Sequence, residues 1–65
     1  MLFVKKVGIY SIYELDRKEC REHWGVFPTF VCWYSHHHEE IGNMSTTENE
    51  SETLLEMVSW CKQYS

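Results

Sequence analysis

A strand that buries one face alternates apolar and polar residues, and neither strand-like stretch of this chain does so. Residues 2 to 15, LFVKKVGIYSIYEL, carry Phe3, Val7, Ile9, Tyr13 and Leu15 on one parity and Leu2, Val4, Tyr10 and Ile12 on the other. Residues 23 to 34, HWGVFPTFVCWY, place Phe27, Val31 and Trp33 on one side, with Trp24, Val26, Phe30, Cys32 and Tyr34 on the other. Branched and aromatic side chains pack well on a pleated surface, so both stretches read as strands. A sheet built from them is apolar on two faces. With 65 residues the chain makes one domain, 1–65, near the lower size limit for a single core. Its 43% hydrophobic and 15% aromatic content separates it from disordered chains, which are poor in both.

Between the strands, residues 16 to 22, DRKECRE, are polar apart from Cys20 and read as a connecting loop. Pro28 lacks an N–H, which makes the second strand an edge strand, or one bent near Phe27-Pro28. Residues 35 to 43 read as a connection holding a short third strand or a single helical turn, ended by Gly42-Asn43. The last segment, STTENESETLLEMVSWCKQYS, predicts a helix over about residues 48 to 63. Thr47 and Glu50 have capping-box spacing, glutamates crowd its start and Lys62 lies in its last turn. At helical periodicity Leu54, Met57, Val58, Cys61 and Tyr64 share one face, Glu48, Glu52, Glu56, Ser59 and Gln63 the other, with Leu55 and Trp60 on the borders. The fold class that follows is α+β: a small antiparallel β-hairpin or three-stranded meander with one C-terminal amphipathic helix packed on one face.

One helix of about four turns covers one sheet face. The other face then exposes an aromatic patch larger than a soluble monomer usually carries, and a second copy or a different protein is expected to cover it. Trp24, Phe30 and Tyr34 on the sheet, with Leu55 and Trp60 on the helix borders, are the candidate anchors, since large aromatics bury much area at small entropic cost.

Charge points to the same class of function. Residues 1 to 21 hold five basic side chains against Glu14, Asp16 and Glu19, whereas residues 22 to 61 contain seven glutamates and no Lys or Arg. Glu48, Glu52 and Glu56 are expected to form an acidic stripe along the helix. Exposed helices usually mix signs, because Glu–Lys pairs at i,i+4 contribute about 0.2–0.5 kcal/mol each. A one-signed stripe suits a partner with a basic surface. The expected function is therefore that of a non-enzymatic inhibitor or adaptor, of the kind that viruses and mobile elements direct against nucleic-acid-handling host proteins.

Other chemistries are weaker. Cys20, His23, Cys32 and His36 supply zinc-type ligands in two close pairs, the alternative reading. An extended strand between them would separate the pairs by about 30 Å at roughly 3.3 Å per residue. His36, His37 and His38, followed by Glu39 and Glu40, read as a solvated connection rather than a metal site or a pH switch. No Ser-His-Asp, Cys-His or paired-carboxylate arrangement can be placed, so neither catalytic residues nor a cofactor are expected. Arg17, Lys18 and Arg21 alternate with acidic residues, which argues against a groove for nucleic acid. The odd set Cys20, Cys32 and Cys61 suggests thiols in a cytoplasmic protein rather than a secreted disulfide scaffold, and the sequons at Asn43 and Asn49 then have no role. No stretch is long and apolar enough to span a membrane.

Overall fold

The computed structural model describes residues 1–25, 27–38 and 42–64, with the side chains at 23, 24 and 35–46 outside that description. Four antiparallel strands form one sheet in the order β1 (Leu2–Val7), β2 (Tyr10–Glu14), β3 (Phe30–His38) and β4 (Gly42–Ser51). A short helix, α1 (Arg17–Glu19), follows β2 and runs into a single π-helical turn, Cys20–Trp24. The chain ends in α2, Leu54–Tyr64. The α+β class therefore holds, with a four-stranded meander and one C-terminal helix on one face.

The stretch expected as one strand over 2–15 is a hairpin. Gly8 takes φ +60° at the first position of a two-residue turn, and Val7 then pairs with Tyr10. Positive φ there suits the right-handed twist of the flanking strands and costs Gly nothing. The register shifts between Phe3 and Lys5, leaving Val4 as an extra residue. This bulge breaks the simple parity of the sequence: Phe3 pairs with Tyr13 on one face, whereas Val4 and Val7 pack with Tyr10 and Ile12 on the other.

Residues 16 to 22 are not a loop. Asp16 caps α1: its Oδ1 accepts from the Glu19 N–H at 2.8 Å, and Glu19 Oε1 accepts from the Asp16 N–H at 3.3 Å. The turn ends at Gly25, whose φ of +74° favours glycine. This segment places Cys20 against Leu15 and Val31.

The second strand starts later than expected, at Phe30, and continues through His38. It is not an edge, since β2 flanks it on one side and β4 on the other. Pro28 lies outside it, after a cis Phe27–Pro28 peptide, so no ladder donor is lost. The histidine run belongs to this strand rather than to a connection: His36, His37 and His38 stand opposite Met44, Asn43 and Gly42. Glu39 and Glu40 lie outside the described residues.

The helix is also shorter than the predicted 48–63. Residues through Ser51 form β4, and the Thr47–Glu50 capping box does not exist, because both residues pair in the sheet with Trp33 and Val31. The cap sits later: Thr53 Oγ1 accepts from the Glu56 N–H at 3.2 Å. Ser51 Oγ donates to the Thr53 carbonyl at 2.8 Å, tying the strand end to the helix start.

Two clusters lie on opposite sides of the sheet. Under α2, Tyr10, Ile12, Cys32, Met57 and Cys61 are buried, with Val4, Val7, Phe30, Tyr34, Leu54, Val58 and Trp60 packed around them. Under α1 and the π turn, Leu15, Cys20 and Val31 are buried, with Tyr13 and Trp33 against them. Among the described residues no helix is long and apolar enough to cross a membrane.

Candidate interaction surface

The face turned away from α2 carries a row of three aromatic rings on three adjacent strands. Phe3 on β1 meets Tyr13 on β2 with centroids 5.6 Å apart and planes at 69°. Tyr13 meets Trp33 on β3 at 5.7 Å and 57°. Such edge-to-face geometry holds the rings in place beyond what area burial alone contributes. Phe3 is 54% exposed. Tyr13 and Trp33 are half-buried, because their inner edges lean on the Leu15–Cys20–Val31 cluster.

The register fixes what surrounds the row. Residues directly opposite in an antiparallel pair share a face. Lys6 stands opposite Ser11, and Ser11 opposite Trp33, so Lys6 flanks the row on the β1 side. Glu50 stands opposite Val31 and flanks it on the β4 side. Both charged side chains are exposed. Cys20, the first residue of the π turn, belongs to the cluster against which Tyr13 and Trp33 pack.

The sequence-selected residues are distributed differently from expectation. Glu48, Glu52 and Glu56 are all exposed, but they do not line one helix face. Glu48 is the extra residue of a bulge in β4, between Thr47 opposite Trp33 and Asn49 opposite Cys32. Glu52 is in the bend before α2, and Glu56 is in its first turn. They form an acidic flank from the β4 edge to the start of the helix. Burial raises the pKa of both Tyr10 and Cys32, and the Glu48 carboxylate adds to the rise in each case.

Phe30 and Tyr34 lie on the helix-covered face and are half-buried against the main core. Trp60 is half-buried, 5.2 Å from Tyr10 and 4.7 Å from Tyr64 between ring centroids. Leu55 is 78% exposed. Trp24 belongs to the π turn, and its side chain lies outside the description. The row Phe3–Tyr13–Trp33 was not singled out from the sequence. Its signal was present as the shared parity of Phe3 with Tyr13 and of Val31 with Trp33; only the strand pairing joins the two sets.

Of the four-ligand zinc set, the side chains of His23 and His36 lie outside the described residues. Cys20 belongs to one cluster and Cys32 to the other, with the sheet between them. Among the described residues no group of three or more His, Cys, Asp or Glu side chains is placed to hold a metal. The three thiols are buried, and burial pushes Cys32 up to about 12. A shallow cleft of about 320 Å³ opens where Leu2, Glu14, Asp16 and Phe27 meet. The Arg17 guanidinium stacks over the Phe27 ring there at 4.6 Å.

No family model matches the chain, and no curated protein or solved structure matches it significantly.

Proposed function

We propose that this chain is a small non-enzymatic binding protein of the inhibitor or adaptor type, whose anchor is the row Phe3, Tyr13 and Trp33. The observation that carries the reading is this row, on the face that α2 leaves uncovered, with Phe3 half exposed and Tyr13 braced between Phe3 and Trp33. Aromatic side chains that are already held in place lose little entropy on docking, which is why such groups dominate binding energy at protein interfaces. The acidic flank of Glu48, Glu52 and Glu56 favours a partner with a basic surface and steers its approach. A second copy of the chain occupies the same face when the partner is absent.

The test places a photoreactive benzophenone side chain at position 3 and, as a control, at position 18 on exposed α1. Illumination in extract from the source cell should give a protein adduct from position 3 only, and the isolated chain should give a crosslinked dimer. If position 3 captures no protein and the isolated chain stays monomeric at high concentration, the reading is wrong.

A further inference from the structure

Two of the three thiols are neighbours in space although 29 positions apart in sequence. Cys32 is the third residue of β3 and Cys61 lies near the end of α2; both are fully buried in the same cluster, close enough for each to shift the other's pKa. Cys20 cannot compete, because it sits in the other cluster across the sheet, where its thiol donates to the Leu15 carbonyl. We propose that Cys32 and Cys61 form a redox latch, in which oxidation by a hydroperoxide joins them as a disulfide and fixes α2 to the centre of the sheet.

The helix is the element that such a latch would control. Its only buried residues are Met57 and Cys61, with Leu54, Val58 and Trp60 packed partly against the cluster. An element with so few buried anchors opens at less cost than the strands beneath it. In the closed state the pair is protected. Burial raises the pKa of both thiols. Cys61 is carried on the element that lifts, so opening brings it to solvent. Oxidation reports opening of the helix.

The chemistry balances with a hydroperoxide as the two-electron oxidant. The Cys61 thiolate attacks one peroxide oxygen; the O–O bond breaks, Cys61 becomes a sulfenic acid, and the departing oxygen takes up a proton to leave as water or an alcohol. On reclosure the Cys32 sulfur attacks the Cys61 sulfur and displaces the hydroxyl as water, which carries off the Cys32 proton. One disulfide forms, two thiols are oxidised and one peroxide is reduced.

The experiment treats the tag-free chain and a Cys20→Ser variant with hydrogen peroxide in native buffer, then reads intact mass, peptide maps and amide exchange. Both proteins should lose two hydrogens, yield a single Cys32–Cys61 crosslinked peptide and return to the starting mass with dithiothreitol. Exchange of the α2 amides should slow by at least about tenfold in the oxidised form. Three results would overturn the latch: a disulfide that includes Cys20, singly oxidised thiols without a crosslink, or a Cys32–Cys61 crosslink that leaves α2 exchange unchanged. None of these outcomes depends on the aromatic row.

Discussion

Cys20 and Cys32 lie on opposite faces of one sheet: Cys20 is packed with Leu15 and Val31, Cys32 with Ile12 and Met57. The relationship follows from β3 itself, where Val31 and Cys32 are adjacent and so point to opposite sides. It separates the two thiols that would have anchored a zinc site and divides the protein into a larger core under α2 and a smaller one under α1. The thermal midpoint should therefore be the same with EDTA as with one equivalent of zinc. A stabilisation that saturates at one zinc per chain would show that the ligands are brought together after all.

The larger core should dominate stability. Ile12 and Met57 are both fully buried in it, whereas Leu55, two residues from Met57, is 78% exposed. Replacing Ile12 by Ala should cost about 2–5 kcal/mol in urea unfolding. Leu55→Ala should change stability by no more than about 0.5 kcal/mol. Equal effects at the two positions would mean that α2 is rotated about its axis.

The helix start offers a sharper test, because two threonines compete for it. Thr53 caps α2, and its replacement by Ala should cost about 0.5–2 kcal/mol with loss of helical circular dichroism. Thr47 faces Trp33 across the sheet, so Thr47→Ala should leave the helical signal intact. The reverse pattern would restore the longer helix that the sequence suggested.

Alkaline pH should unfold the protein through the thiol pair. The ordinary thiol value is 9.0, and burial pushes Cys32 up to about 12. Above the unfolded value the folded state holds a proton that the unfolded chain releases. The contribution is complete below about pH 9 and is lost as pH rises towards about 12, with a slope of up to about 1.4 kcal/mol per pH unit for each proton retained. Tyr10, raised by burial in the same cluster, adds to the loss at the upper end. Urea unfolding measured at steps between about pH 8 and pH 11 should show this decline, and Cys32→Ala should flatten it. A parent protein equally stable across that range would contradict a proton held by the fold.

These contrasts also show which parts of the fold were legible in the sequence. Residue type gave the α+β class, and helical periodicity gave most of the core face of α2, with Met57 and Cys61 fully buried and Leu54 and Val58 partly so, whereas Tyr64, expected on the same face, is 55% exposed. Boundaries failed where a local signal competed with pairing. Thr47 and Glu50 have capping-box spacing, but their pairing with Trp33 and Val31 won, because β3 needs a neighbour on its outer side. Gly8 could mark either a bulge or a turn, and the neighbouring bulge at Val4 hid the answer by reversing the parity of Val7. Asp16 and Glu19 formed a capping box in plain sight, inside a stretch too short and polar to suggest a helix. The aromatic row was the least legible feature, since Phe3, Tyr13 and Trp33 become neighbours only through the register of three strands.

That row and the acidic flank should separate cleanly in binding kinetics once a partner has been captured. Phe3 is 54% exposed but packs edge-to-face on Tyr13, so Phe3→Ser should cost only about 0.5–1.5 kcal/mol of stability. Losing a central aromatic anchor typically costs more than about 2 kcal/mol of binding energy, roughly a thirtyfold weakening that appears mainly as faster dissociation. The acidic residues act earlier, during approach. Glu48, Glu52 and Glu56 are exposed, so each ion pair they make with the partner should contribute only about 0.2–1 kcal/mol. Replacing all three by Gln should slow association and weaken its dependence on salt, with little effect on dissociation. If the Gln variant matches the parent in association rate and salt dependence, the flank is a solvated surface and the partner need not be basic. If Phe3→Ser dissociates no faster than the parent, the aromatic row is not the anchor, and the helix-border residues Leu55 and Trp60 become the next positions to substitute.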